Sequence, residues 1–206
     1  SVDRPEYDAR TNVEGTINVL EGARQAGARR FVFASTGGAI YGETDVVPTP
    51  EDHAPRPMAG YGTSKLCAEQ YLGLYERLHG LPTIALRFGN VYGPRQDPHG
   101  EAGVIAIFCG RYRAGGRPTI YGDGTQTRDY IYVGDLVDAI LAAGDSDAGG
   151  AINIGTAEET TVLELVETIR EAGGGTNPFE PQFAPARLGE LERSCLAVER
   201  AREVLG

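Results

Sequence analysis

The sequence has few of the residues that mark metal proteins, secreted disulfide scaffolds or membrane proteins. It contains no tryptophan, one methionine and three cysteines among 206 residues. Cys67, Cys109 and Cys195 lie far apart and lack the CxxC spacing of a zinc site. No apolar run approaches the roughly 20 residues of a transmembrane helix. We therefore expect free thiols in a reducing cytoplasm, no bound metal and no membrane partner.

Basic clusters are also scarce. The net charge is −10, Lys65 is the single lysine among 19 basic residues, and the longest basic run is Arg29-Arg30. Binding to a phosphate backbone requires a basic face, so the composition argues against nucleic acid as a partner. With 41% hydrophobic and 23% charged residues, the chain has the composition of an ordinary globular protein.

Helical and strand patterns alternate along the first half. The spacing of apolar residues predicts helices over 11–26 and 61–78, and short β-rich runs predict strands over 30–34 and Thr83–Phe88. Helices that connect consecutive strands through short links are typical of a parallel sheet with crossover connections. The pattern therefore predicts an α/β fold.

The second half has a different pattern. Helices are predicted over Val104–Arg113, 135–143, 161–172 and 197–205, and strands over 118–121, 129–133 and 151–155. Thr161 and Glu164 have the spacing of a capping box, and 173–185 is predicted as a loop. We place a domain boundary near residue 93, giving domains 1–93 and 94–206.

Tyr61 and Lys65 form the most informative pair. On a helix, residues i and i+4 share one face, so the phenol and the ammonium are predicted to lie side by side. A nearby cation favours the phenolate, lowers the tyrosine pKa and makes the phenol useful as an acid/base. Taken alone, the pair is better explained as two neighbours on a solvated helix face.

A second feature stands upstream of the pair. The apolar run 31–34 leads into Ser35, Thr36, Gly37 and Gly38, which places small hydroxyls and a Gly-rich loop at the carboxyl end of a predicted strand. Open α/β sheets bind ligands at that edge. A simple Ser/Thr turn at a strand end is the alternative.

The ordered set resembles the extended short-chain dehydrogenase/reductases of the NAD-dependent epimerase/dehydratase family. It comprises a strand with Ser/Thr and Gly, then Tyr-x-x-x-Lys, then a strand followed by Gly-Asn-Val-Tyr-Gly-Pro. The resemblance implies a Rossmann-like parallel sheet with a smaller α/β substrate-binding domain. It also implies NAD as cofactor and a homodimer formed through the helices at 11–26 and 61–78. By this resemblance Thr36, Tyr61 and Lys65 are the catalytic residues, and Ser35 could share or take the hydroxyl role.

Further positions match the family. Asn12, Phe88, Tyr61 and Lys65 are expected near the cofactor, although Asn12 has the alternative of a helix N-cap. The expected nucleotide-sugar contacts are Asn90, Tyr121, Arg128, Arg187, Glu190 and Ser194. Tyr121 could instead be a core aromatic, Arg128 a surface ion-pair partner and Ser194 solvent-exposed. Glu190 stands where the family's Arg-x-Gly-Asp element has Asp.

The loop after the hydroxyls bears on the reaction. Related 4,6-dehydratases carry an Asp-Glu pair where this chain has Gly37-Gly38, so elimination lacks its proton carriers. The resemblance then favours epimerisation of a UDP-hexose at C4 through transient oxidation to a 4-keto sugar. A small Ser194 would leave room for an N-acetyl group. Other nucleotide-sugar enzymes of the family and a non-catalytic nucleotide-sugar-binding relative stay open.

One family feature is absent from these 206 residues. The Gly-x-x-Gly-x-x-Gly turn, whose amides and helix dipole hold the NAD pyrophosphate, is not found. The chain also lacks an initiator Met and ends earlier than the family pattern. We therefore expect it to be part of a longer protein, with the first βαβ unit of the Rossmann-like domain missing.

Overall fold

The computed structural model describes residues 3–99, 103–175, 178–187 and 189–206. The α-helices are α1 (Pro5–Ala9), α2 (Gly15–Gln25), α3 (Gly37–Ile40), α4 (Gly60–His79), α5 (Val104–Arg113), α6 (Val133–Asp145), α7 (Val162–Ala172) and α8 (Glu199–Leu205). A π-helical segment, Arg10–Glu14, joins α1 to α2. The strands are β1 (Phe31–Thr36), β2 (Thr83–Phe88), β3 (Asn90–Tyr92), β4 (Thr119–Tyr121), β5 (Thr127–Arg128), β6 (Tyr130–Tyr132), β7 (Gly150–Ile154), β8 (Thr160–Thr161) and β9 (Gln182–Ala184).

A three-stranded parallel sheet in the order β1-β2-β7 organises the fold. In its register Thr36 pairs with Phe88, and Phe88 pairs with Ile154. The carboxyl ends of the three strands therefore lie at one edge. The α/β class and the parallel sheet predicted from the sequence are confirmed.

Both faces of this sheet are covered. Side chains alternate along a strand, so Ala85 joins a core with α2 and α4, and Ile84 and Leu86 join a second core with α6. Every residue of β2 except the last is buried. The continuous apolar run in β2 follows from this two-sided burial.

A third core lies in the second half of the chain. Phe108 of α5, Ile120 of β4 and Leu165 of α7 pack together there, and the predicted capping box between Thr161 and Glu164 is present. The domain boundary at residue 93 stays a prediction. Such a cut would run across the three-stranded sheet, because β7 comes from beyond it.

Three local predictions are corrected. The first helical region begins at Pro5 rather than residue 11, and its proline occupies the first helical turn, where the missing N–H costs nothing. Gly37 and Gly38 begin the short helix α3 rather than a loop. The loop predicted at 173–185 contains β9, which pairs in parallel with β4; residues 176 and 177 of that loop lie outside the described residues.

None of the helices in the described ranges is both long and apolar enough to cross a membrane.

Candidate active site

Tyr61 and Lys65 lie in the first two turns of α4, as the spacing predicts. The Lys65 ammonium lies 5.7 Å from the centroid of the Tyr61 ring and donates a 3.0 Å hydrogen bond to the backbone carbonyl of Ala34 in β1. It also lies 4.7 Å from the centroid of the Phe33 ring. These contacts fix the start of α4 against the end of β1.

Close backbone packing brings Tyr61 toward the same strand end. A Cβ atom at Gly62 would collide with the carbonyl oxygen of Ala39 in α3, so only glycine allows this approach. Because α3 follows β1 directly, the contact places Tyr61 beside the segment that begins at Thr36. Tyr61 and Lys65, two of the residues expected to be catalytic, therefore lie near the carboxyl end of β1, where Thr36 also lies.

The electrostatics differ from the expectation. We expected Lys65 to lower the Tyr61 pKa, but burial and, second, the charge of Asp8 raise the pKa of the Tyr61 phenol. Burial also lowers the pKa of Lys65, an effect that Asp8 opposes. With the ammonium directed to the Ala34 carbonyl, this chain by itself favours the neutral phenol.

The two neighbouring hydroxyls have different environments. Ser35 is buried, and its hydroxyl donates a 2.6 Å hydrogen bond to Oε1 of Glu69. Successive side chains of a strand point to opposite faces, so Thr36 points away from Glu69. Thr36 is half-buried at the N-terminus of α3, and its hydroxyl does not cap that helix. We therefore retain Thr36, rather than Ser35, as the candidate hydroxyl at the sheet edge.

The two other predicted cofactor residues lie near this edge. Phe88 is the last residue of β2 and pairs with Thr36. Asn12 lies within the π-helical segment that packs against α4, so its alternative role as a helix N-cap is wrong: helical residues precede it. Single π-helical turns are frequent at functional sites.

These groups fit the nicotinamide-ribose end of NAD. The Lys65 ammonium has three donors, of which one is directed to Ala34, and the Tyr61 phenol is 39% exposed. An ammonium, a phenol and an amide are suitable partners for ribose hydroxyls. The Gly-rich turn expected to hold the pyrophosphate is not among the 206 residues.

Five of the six predicted nucleotide-sugar residues line one cavity of about 330 Å³. They are Asn90, Tyr121, Arg128, Arg187 and Glu190. The structure thus brings together residues that are up to 100 positions apart in the sequence. Leu188, within the Arg-x-Gly-Glu element, lies outside the described residues.

Two contacts shape the wall of the cavity. Arg128 Nη2 lies 3.4 Å from Glu190 Oε1, so the glutamate reaches the arginine expected to hold a phosphate. The Arg187 guanidinium stacks 3.9 Å from the centroid of the Tyr121 ring. Tyr121 is exposed, which disagrees with its alternative role as a core aromatic.

Ser194 lies beside the carboxyl edge of the three-stranded sheet rather than in solvent. It is only 9% exposed. A Cβ atom at Gly38 would lie 3.5 Å from Asn90 Oδ1 and 3.7 Å from Ser194 Oγ, so both side chains meet the α3 backbone two residues after Thr36. Asn90 also lines the cavity, and it therefore links the cavity to the sheet edge.

Two buried contacts were missed by sequence reasoning. Arg87 and Glu69 form an ion pair, and their side chains are 6% and 7% exposed. An arginine inside the apolar strand TIALRF was a usable signal, because a buried charge needs a partner. Asp8, which accepts from Ser64, had no such signal because 56 positions separate the two residues.

Comparison with known proteins identifies the family. Residues 1–155 match the model of the NAD dependent epimerase/dehydratase family. The chain belongs to this family. Its parallel sheet with covering helices is thus Rossmann-like.

Several relatives are UDP-glucose 4-epimerases. The chain is 49% identical over 207 residues to that of Mycolicibacterium smegmatis, and 45% identical over 204 residues to a putative one of Methanocaldococcus jannaschii. These matches cover 100% and 99% of this chain and 66% of each relative. The chain therefore spans slightly less than two thirds of their length.

Solved structures agree with this relationship. The UDP-glucose 4-epimerase of Thermotoga maritima with UDP-glucose has a TM-score of 0.96 at 45% identity, covering 100% of this chain and 66% of that one. The Thermus thermophilus enzyme in complex with NAD has a TM-score of 0.87 at 46% identity, covering 93% of this chain and 63% of that one.

Proposed function

We propose that the protein expressed from its complete gene is an NAD-dependent enzyme that epimerises UDP-sugars at C4, interconverting UDP-glucose and UDP-galactose. The observation that supports this proposal is the packing of the Tyr61–Lys65 turn of α4 against the end of β1 and α3, beside Asn90, which also lines the cavity. UDP-glucose bound to the Thermotoga relative and NAD bound to the Thermus relative support it.

The catalytic roles follow from the chemistry of the side chains. When bound, NAD supplies a hydride acceptor that can later return the hydride. Tyr61, as the phenolate, takes the proton of the sugar C4 hydroxyl as the carbon is oxidised, and gives it back when the carbonyl is reduced on its other face. Thr36 hydrogen-bonds the reacting oxygen, and Lys65 orients the phenol and the nicotinamide ribose.

The cavity is proposed to hold the nucleotide diphosphate. Arg128 and Arg187 supply guanidinium groups, which suit phosphate oxygens because they donate two parallel hydrogen bonds. Tyr121 offers a ring for the nucleobase, on which Arg187 already stacks. Glu190 is proposed to take the ribose contact that the family's Asp makes, and Asn90 the diphosphate contact nearest the sheet edge. Ser194 then lies beside the sugar.

The absence of an acidic pair after Thr36 favours epimerisation over elimination. Within the described residues, α3 offers the glycines Gly37 and Gly38 where a dehydratase would need an acid and a base. Apart from the hydride transfer that NAD would supply, a 4-epimerase needs only the reversible proton transfer at Tyr61.

We also propose that the protein is a homodimer that works in the cytoplasm. The dimer would form through α1, α2 and α4, which leave Tyr7, Val19 and Leu78 more than half exposed. A twofold contact would bury these apolar side chains on both subunits. The cytoplasmic location is supported by the free state of Cys67, Cys109 and Cys195.

The test is product identification. The product of the complete gene is incubated with NAD and UDP-glucose, and the sugar nucleotides are followed by proton NMR. We expect UDP-galactose to appear until the two sugars reach equilibrium, without net consumption of NAD. A 4-keto-6-deoxy product would assign the dehydratase reaction instead, and binding without any product would assign a non-catalytic role.

A further inference from the structure

Asp129, the residue between β5 and β6, is a buried carboxylate on which several hydrogen-bond donors converge. It is 1% exposed. The N–H and the hydroxyl of Thr156 each donate a 2.8 Å hydrogen bond to its Oδ1, and the N–H groups of Ala157 and Leu196 donate to its Oδ2 at 3.3 and 3.2 Å. Within the described ranges all of its donors are neutral. Burial of a charge is costly, but an ionised carboxylate is the side chain whose two oxygens both accept hydrogen bonds.

One of these donors belongs to the segment 194–197, which packs on the glycines of α3. Leu196 fills the space above Gly37, where a Cβ atom would lie 2.5 Å from the leucine Cδ1. A Cβ atom at Gly38 would lie 3.7 Å from Ser194 Oγ. The buried carboxylate accepts from the Leu196 N–H, two residues after Ser194, and thus fixes this segment beside α3.

The main chain of Asp129 holds a second residue of the site. The Asn90 N–H donates a 2.6 Å hydrogen bond to the Asp129 carbonyl oxygen. Asn90 Oδ1 lies 3.5 Å from the Cβ position of Gly38, so Asn90 and Ser194 both lie against this glycine. The carbonyl of Asp129 holds the first of them, and its carboxylate holds the second through Leu196.

We propose that Asp129 is a positioning residue that fixes Asn90 and Ser194 relative to each other at the sugar end of the site. This inference rests on the proposed function, in which Ser194 lies beside the sugar and Tyr61 exchanges a proton with the C4 hydroxyl. Other residues of the cavity hold the nucleotide, so a shift of 194–197 would misplace the sugar without releasing the nucleotide. A misplacement of about 1 Å can cost about 100-fold in rate.

The test is Asp129→Asn in the product of the complete gene. The variant keeps the carbonyl that holds Asn90, but it replaces an accepting oxygen with an NH2 group, which cannot accept from the converging N–H donors. We expect faster hydrogen–deuterium exchange in peptides covering 194–197, with a much smaller change in β2, whose exchange reports global unfolding. The kcat for UDP-glucose should fall by at least about tenfold. Calorimetry with UDP, which lacks the hexose, should give the wild-type affinity and stoichiometry.

Thr156→Val is the matched control. It removes one hydrogen bond to Oδ1 of Asp129 and leaves the Leu196 N–H bonded to Oδ2, so exchange at 194–197 and kcat should stay close to the wild type. Four results would overturn the proposal. They are unchanged exchange at 194–197 in Asp129→Asn, a kcat of that variant within twofold of the wild type, a loss of UDP affinity as large as the loss of kcat, and equal effects in Thr156→Val.

If Asp129→Asn does not fold, the wild-type protein decides. The Leu196 amide, resolved with overlapping peptides, should be protected from exchange before any ligand is added, and exchange at the rate of an unfolded chain would overturn the proposal. A wild-type protein without turnover of UDP-glucose would contradict the proposed function. Exchange at 194–197 would still decide whether Asp129 holds this segment.

Discussion

The Arg87 guanidinium holds both carboxylate oxygens of Glu69, with Nε 3.0 Å from Oε1 and Nη2 2.7 Å from Oε2. Arg87 Nη1 also donates to the Tyr41 hydroxyl at 2.8 Å, and Tyr41 donates in turn to Asn153 of β7 at 2.8 Å. Ser35 donates to the same glutamate, so this network connects β1, β2, β7 and α4 near the carboxyl edge of the sheet. The network thus fixes α4, which carries Tyr61, against β1 and β2.

The first prediction concerns the stability that this pair provides. Glu69→Gln should lower the free energy of unfolding by about 3 kcal/mol, because it leaves the Arg87 charge buried without its counter-ion. Urea denaturation followed by circular dichroism measures the change. Glu21→Gln is the matched control, since it breaks an ion pair on the exposed side of α2 and should change the stability much less. Equal effects of the two substitutions would contradict the role given to the network.

The second prediction concerns alkaline pH. Burial raises the pKa of Tyr130 from 10.0 to about 12, and its hydroxyl has no hydrogen-bond partner among the described residues. The unfolded chain therefore loses this proton at a lower pH than the folded one. The contribution is present in full below about pH 10 and is lost as the pH rises toward about 12.

Tyr130→Phe should remove this contribution and make the stability fall less steeply over that window. Unfolding free energies measured at intervals between pH 9 and 12 test this, with the exposed Tyr132→Phe as control. An unchanged slope in Tyr130→Phe would show that the hydroxyl is not buried in solution.

The third prediction concerns substrate breadth. Ser194 is a small residue beside Asn90 and α3, so we expect the complete enzyme to accept both UDP-glucose and UDP-N-acetylglucosamine. Ser194→Tyr should reduce kcat/KM for the N-acetyl sugar far more than for UDP-glucose, because a ring fills the space that the acetamido group needs. Ser194→Ala, which stays small, should preserve the wild-type ratio. The assignment fails if the tyrosine variant also preserves it.

The fourth prediction concerns assembly. The product of the complete gene should sediment as a dimer at micromolar concentration, and Val19→Glu should shift it toward the monomer by placing a charge in the contact. Leu141→Glu is a matched control, because Leu141 is similarly exposed but lies on α6, outside the proposed interface. If the two variants dissociate to the same extent, the interface has been misplaced.

The sequence predicted local features more readily than distant contacts. The i, i+4 spacing was sufficient to place Tyr61 and Lys65 on one helix face. Apolar periodicity predicted the observed limits of α5, and a short β-rich run predicted those of β2. The convergence of Asn90, Arg128 and Arg187 on one cavity followed from family resemblance, since no local pattern connects them.

The remaining features depend on tertiary packing. Asp8 contacts Ser64 across 56 positions, and Ser35 turns toward Glu69 because strand alternation points it to the face of the sheet that α4 covers. The raised pKa of Tyr61 has the same origin: burial and, second, the charge of Asp8 raise it, while the ammonium of the neighbouring Lys65 is directed to the Ala34 carbonyl. Helix periodicity carries no information on these long-range effects.

The most direct test of the account is the turnover of Tyr61→Phe. The substitution removes only the proton-transferring oxygen, so UDP-glucose affinity, measured by calorimetry, should stay close to that of the wild type. General acid–base groups contribute about 10²–10⁴-fold in rate. We therefore predict that conversion of UDP-glucose to UDP-galactose by the product of the complete gene falls by at least about 100-fold. Turnover within twofold of the wild type would contradict the assignment of Tyr61 as the acid/base.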